Sequence, residues 1–212
     1  MSPPPKSVSS RRAEHVADTR EALLGAARTL FASRGYAATG TEDIVSAARV
    51  TRGALYHHFR DKADLFTAVM ERCAREMADR LIEQETRRAE AEHQEDTWSL
   101  LRTGFQSFLD ACADPDFQRI VLIEGPAVLG HSVWDALVEK HGYVLLEEVL
   151  SQAVAEGRID PLPVRPLTRM LGALISEASL YIARSDDQRR ARADAGAVLD
   201  RILTGLRRGG ES

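Results

Sequence analysis

Apolar residues along this chain recur at intervals of three and four, the spacing that gathers side chains on one face of an α-helix. The first stripe, Ala22, Leu23, Ala26, Ala27, Leu30 and Phe31, predicts a helix over 18–34 that Gly35 is placed to end. Two short segments follow. In the first, Thr41 is positioned as an N-cap, Glu42 and Asp43 fall where the helix dipole favours negative charge, and Ile44, Ala47 and Ala48 share a face. Val50 plugs the turn. Thr51 is placed to cap the second segment, whose inward residues are Leu55 and Phe59 at i and i+4, leaving Arg52, Gly53, Tyr56 and His57 outward.

A fourth helix is expected from Asp61 or its neighbour. Its stripe of Leu65, Phe66, Val69, Met70, Cys73, Met77 and Leu81 is long enough to pass from a small first domain into a second. Residues 83–96 turn almost wholly polar and read as an exposed end and connection. Trp98, Leu101, Phe105, Phe108 and Leu109 then predict a helix ending near Asp114-Pro115, and Gly125-Pro126 implies a bend after the apolar stretch 117–123. A long helix is expected from about Ser132 to Glu156, closed by Gly157 and by Pro161, Pro163 and Pro166. Two apolar stripes end the chain: Leu167, Met170, Leu171, Leu174, Ala178 and Tyr181, then Ala195, Val198, Leu199, Ile202, Leu203 and Leu206. Strand signals are missing throughout, so the pattern predicts an all-α fold of about nine helices.

Paired short helices with polar residues at the start of the second describe a helix-turn-helix, in which a helix enters the major groove and reads it through its N-terminal residues. Residues 19–66 resemble the DNA-binding domain of the TetR family of bacterial transcriptional regulators. The matching stretches are Thr19-Arg-Glu-Ala-Leu-Leu24, Leu30-Phe31, Arg34-Gly-Tyr36, Thr39, Asp43-Ile44, Gly53-Ala-Leu-Tyr-His-His-Phe59 and Lys62-Ala-Asp-Leu65. The chain departs from that pattern at Arg49, where the family usually has a turn glycine. A left-handed residue with a Cβ costs on the order of 1 kcal/mol, so the turn either takes another geometry or tolerates the strain.

Composition and charge refine this picture. At 212 residues and 44% hydrophobic, the chain is large enough for a small domain joined to a larger one. The expected division is a disordered arm over 1–16, a helix-turn-helix domain over 17–64, and a helical ligand-binding and dimerisation domain over 65–212. The net charge of −4 is unevenly spread, at +3 over residues 1–65 and −7 beyond, so the basic end is the end expected to meet phosphates. No apolar run reaches the roughly 20 residues of a membrane span, and the polar, proline-rich start is not a signal peptide, which makes the expected location cytoplasmic. Cys73 and Cys112 lie inside helical stripes without metal spacing and are expected to be reduced thiols.

The expected DNA contacts are Arg52 and His57 to base edges, Thr41, Thr51, Tyr56 and Lys62 to phosphates, and Gly53 for close approach. Dimerisation through the last two helices is expected at Leu167, Leu171, Ala178, Tyr181, Val198, Leu199, Ile202 and Leu206, since a two-fold dimer supplies the second head that half-site recognition needs. The resemblance implies a small-molecule cavity whose occupancy alters the spacing of the two heads. Candidates for its lining are Trp98, Leu101, Phe105, Phe108, Phe117, Leu122, His131, Trp134, Met170, Leu174 and Glu177, the last favouring a cationic or hydrogen-bond-donating ligand if buried. Neither a metal site, a cofactor motif nor a nucleophile with a partner base is apparent, so no catalysis is expected. The expected partners are therefore double-stranded operator DNA, a second copy of the chain and a small-molecule effector. The alternative is a C-terminal domain that answers to a protein partner or needs no ligand.

Overall fold

A computed structural model describes residues 8–91 and 96–208. Among these the regular structure is helical apart from one isolated bridge, Ile159 to Arg207. The helices are α1 (Val8–Arg34), α2 (Thr41–Ala48), α3 (Arg52–His58), α4 (Lys62–Ala91), α5 (Thr97–Ala111), α6 (Pro115–Phe117), α7 (Gly125–Leu129), α8 (His131–Val138), α9 (Val144–Ala155), α10 (Val164–Ala183) and α11 (Gln188–Thr204). Two wider, π-helical segments, Gln118–Glu124 and Glu139–Tyr143, join α6 to α7 and α8 to α9, so the described chain makes nine continuous helical runs.

Two compact units result, the first ending at Glu71 and the second beginning at Arg72. The division falls inside α4, later than the sequence reading placed it, because Leu65, Phe66, Val69 and Met70 are all buried before it. In the first unit Phe31, Tyr36 and Phe66 form an aromatic cluster with ring centroids 5.2–5.8 Å apart, joining α1 and the loop after it to the start of α4. Leu23, Ala27, Ile44, Leu55 and Leu65 complete its core. The second unit buries Trp98, Leu101, Phe105, Leu109, Leu150, Leu171, Leu199 and Leu203 from α5, α9, α10 and α11.

Several expectations are corrected. The helix of α1 begins at Val8, so the arm expected over 1–16 is helical from there, while residues 1–7 lie outside the described residues. The three prolines sit at positions 3–5, and a helix once nucleated by a buried stripe extends through residues that can hold it without a new nucleation cost. By the same logic α4 runs on through polar residues to Ala91, where a connection was expected. At 117–126 the chain does not leave the helix; it widens into the π-helical segment, which accommodates Pro126 and its missing N–H.

Candidate nucleic-acid interface and ligand cavity

Gly40, not Thr41, is the N-cap of α2. Its backbone N–H donates to the Asp43 carboxylate at 3.0 Å, and Thr41 becomes the first helical residue, half-buried. Ile44 and Val45 make the buried face of α2, whereas Ala47 points outward. Arg49 does adopt the left-handed conformation, with φ 55° and ψ 41°. The N–H of Val50 reaches back to Val45 O at 3.0 Å and that of Arg49 to Ser46 O at 3.2 Å, the double closure of a Schellman motif. That motif asks for glycine, and the chain accepts an arginine in its place.

Thr51 caps α3 as expected, its Oγ1 accepting from Ala54 N at 3.1 Å. Leu55 and Phe59 are buried, which turns Arg52, Gly53, Tyr56 and His57 to the exposed side. Arg52 pairs with Glu42 at 3.1 Å and lies over the Tyr56 ring at 5.6 Å, so its guanidinium is held beside the mouth of the turn by contacts that water can replace. The fold does not require glycine at position 53: a Cβ there would meet only Thr51 Oγ1, at an ordinary 3.8 Å. A residue that weakens its own helix without serving its packing leaves room for something to approach closely from outside. His58 is partly buried, and desolvation, then His57 and Arg20, hold its imidazole below its ordinary pKa.

Lys62 differs from the others. Its ammonium donates to the carbonyls of Tyr36 and Thr39, both at 3.0 Å, and sits 4.1 Å from the centre of the Tyr36 ring. It therefore ties the α1–α2 connection to the start of α4, a job that spacing alone did not suggest. Asp61 caps that helix by accepting from Asp64 N at 2.8 Å.

In the second unit a cavity of about 320 Å³ lies between α4, α5, the Glu139–Tyr143 segment, α9 and α10. Of the eleven residues expected to line it, Leu101, Phe105 and Phe108 do. Phe117 and Leu122 pack in the core, Phe117 edge-on to Phe108 at 6.5 Å, and Leu174 backs the buried cluster. Trp98 is buried beneath the Arg207 guanidinium, 5.9 Å away. Trp134 turns its indole N–H to Val121 O at 2.8 Å, while His131 and Glu177 are exposed. Met170 is 72% exposed, well away from any interior. The lining that sequence reasoning missed includes Gly104, Tyr143, Leu146, Val149, Gly172 and Ser176. Glycines and mid-helix valines carry no signal of a cavity in a sequence.

The dimer expectation divides along the same line. Leu171 and Leu199 are buried in the chain's own core, with Leu167, Ala178 and Leu206 packed against it. Tyr181, Val198 and Ile202 stay exposed, and Met170 joins them to leave α10 and α11 with an uncovered apolar stripe. Cys112 is fully buried, and burial pushes its thiol up to about 12 despite a hydrogen bond involving Ser179, so it is an inert core residue. No group of acidic, histidine or cysteine side chains among the described residues could hold a metal ion, and none of the described helices is long and apolar enough to cross a membrane.

A capped helix with an outward polar N-terminus, braced by two others and followed by a larger helical unit, is the architecture of a one-component DNA-binding transcription regulator. Residues 23–69 match the family described as "Bacterial regulatory proteins, tetR family", and residues 98–206 match "Tetracyclin repressor-like, C-terminal domain". A crystal structure of a TetR-family transcriptional regulator from Pectobacterium atrosepticum superposes with a TM-score of 0.77 and 32% identity, covering 93% of this chain and 98% of that one. The Transposon Tn10 TetC protein of Escherichia coli is 27% identical over 149 residues, 69% of this chain and 71% of its own. The regulator AcrR of Shigella flexneri is 46% identical over 54 residues, which are 26% of this chain and 25% of that protein. The chain belongs to the TetR family of bacterial transcriptional regulators.

Proposed function

We propose that the protein is a homodimeric repressor that holds operator DNA through α3 and is released by a small, largely apolar molecule bound in the second unit, acting in the cytoplasm where that DNA lies. Gly53 is the observation that carries the DNA half: an exposed glycine inside a helix, unneeded by the fold and flanked by Arg52 and Tyr56. Arg52 and His57 are assigned to base edges, Thr51 and Tyr56 to phosphates, and Thr41 to a phosphate beside the first turn of α2. The uncovered stripe of Met170, Tyr181, Val198 and Ile202 supports pairing of two copies across a two-fold axis. A cavity with a mostly apolar wall supports an effector and weighs against a purely protein-responsive domain. Release follows if the effector prefers the dimer whose heads are spaced wrongly for successive major grooves, since only differential affinity shifts such an equilibrium.

The test pairs selection of bound duplexes from a random pool with the double variant Val198→Asp/Ile202→Asp. The expected duplex carries two half-sites. The double variant should sediment as a monomer and lose roughly 100-fold or more in affinity for that duplex through lost avidity. A variant that stays dimeric and binds as before would remove the proposed interface.

A further inference from the structure

The effector cavity contains almost no polarity, and what it has is unevenly committed. None of its lining residues is Asp, Glu, Lys, Arg or His. Thr86 spends its hydroxyl proton on Ile82 O at 2.8 Å and Ser176 spends its own on Gly172 O at 2.9 Å, so both can only accept from a ligand. Tyr143 is the exception. It lines the wall within the π-helical segment, and among the described residues its hydroxyl makes no hydrogen bond.

That phenol is held in place by an absence on the facing helix. A Cβ built on Gly172 would fall 2.3 Å from Tyr143 Cε1 and 2.7 Å from its Oη, so the ring occupies the space that any other residue at 172 would fill. Of the charges near the phenol, Arg169 pairs with Glu139 at 2.6 Å and Asp135 adds a further carboxylate, but none of the three lines the cavity to meet a charged guest. Burial raises the pKa of the phenol, which is therefore a neutral donor at any physiological pH. Ile82 and Leu145, both exposed, also line the cavity, so the part of its wall that reaches solvent there is apolar as well.

We infer that the effector is an uncharged hydrophobic molecule carrying one hydrogen-bond acceptor, a carbonyl, ether or hydroxyl oxygen, that receives the Tyr143 proton, and that carboxylates and amines are excluded. The inference rests on the cavity being the effector site. An ion entering this wall would shed its hydration with no charged residue in the lining to meet it, whereas a single oxygen can take the place of water on a donor that no described residue occupies. The exposed position of Glu177 removes the cationic ligand that the sequence allowed.

Equilibrium dialysis of the full chain at pH 7.5 against three probes of one skeleton, naphthalene, 2-acetonaphthone and 2-naphthoate, separates the possibilities. The ketone should be retained roughly fivefold more tightly than naphthalene, one ordinary hydrogen bond. The carboxylate should bind at least about 100-fold more weakly than the ketone. Tyr143→Phe should bring the ketone down to naphthalene while leaving naphthalene unchanged, a result that mere loss of packing would not give. Retention of 2-naphthoate as tight as the ketone, an equal loss of both neutral probes in Tyr143→Phe, or retention of none of the three would overturn the inference. Gly104→Leu tests the site beneath it: a Cβ at 104 meets nothing within 4 Å, and the longer side chain extends into the cavity. Binding that survives Gly104→Leu overturns the cavity as the effector site; binding lost there, with the carboxylate preferred in wild type, overturns only the chemistry assigned to it.

Discussion

Replacing Lys62 by methionine keeps an apolar stem against the Tyr36 ring and removes the ammonium from the Tyr36 and Thr39 carbonyls. A hydrogen bond from a charged donor is worth about 1.5–3 kcal/mol where water is excluded. Lys62 is half-buried, so water replaces part of each bond and the combined loss is about 2 kcal/mol. Both tryptophans, Trp98 and Trp134, lie in the second unit, so their fluorescence would not report on this site. Hydrogen exchange of peptides spanning residues 36–48 would, and a loss of that size should speed exchange roughly 30-fold at about 1.4 kcal/mol per decade. The salt dependence of operator binding should keep its slope. Unchanged exchange, with the slope reduced by about one unit per subunit, would instead make Lys62 the phosphate contact that its place at the start of α4 first suggested and would refute the structural role.

Gly53→Ala should stabilise α3 by about 0.5 kcal/mol through propensity alone, yet weaken operator binding at least roughly tenfold; chemical denaturation and DNA titration together check the opposed signs. Arg49→Gly should stabilise the first unit by about 0.5–1 kcal/mol, since glycine relieves the left-handed strain at the cost of a freer unfolded chain, while Arg49→Ala should change little; equal gains from both would place the strain elsewhere. His58 is held below its ordinary pKa, so the unfolded chain takes up its proton first. The contribution to stability is complete above the unfolded value of about 6.5 and is lost as pH falls below it, and circular dichroism of His58→Gln should show a flatter pH dependence between about 5 and 7.

What was legible in the sequence was local. The Thr51 cap, the inward Leu55 and Phe59 and the outward Arg52, Gly53, Tyr56 and His57 all follow from spacing within one or two turns, and each stands where it was expected. The left-handed Arg49 is one of the two outcomes that the resemblance left open, by setting a turn glycine where this chain has an arginine. The second unit was read less well because one residue of rotation on a helix, about 100°, separates inside from outside. Met170 was expected in the cavity and is the most exposed of the large apolar residues among those described, while its neighbour Leu171, expected at an interface, lies in the core. Which stripe faces which neighbour is set by how α5, α9, α10 and α11 cross, and the widened Glu139–Tyr143 segment rotates the residues after it in a way no periodicity records. Tyr143 reaches the cavity wall only because residue 172, on another helix, lacks a side chain.

Fluorescence anisotropy of the selected operator duplex, titrated with wild type and with Gly104→Leu in the presence and absence of neutral hydrophobic compounds, addresses the whole account at once. Tight, sequence-specific binding by two subunits is predicted, with a compound that releases wild type and leaves Gly104→Leu bound. Weak binding indifferent to sequence, or a compound that releases both proteins equally, would contradict a repressor governed through this cavity.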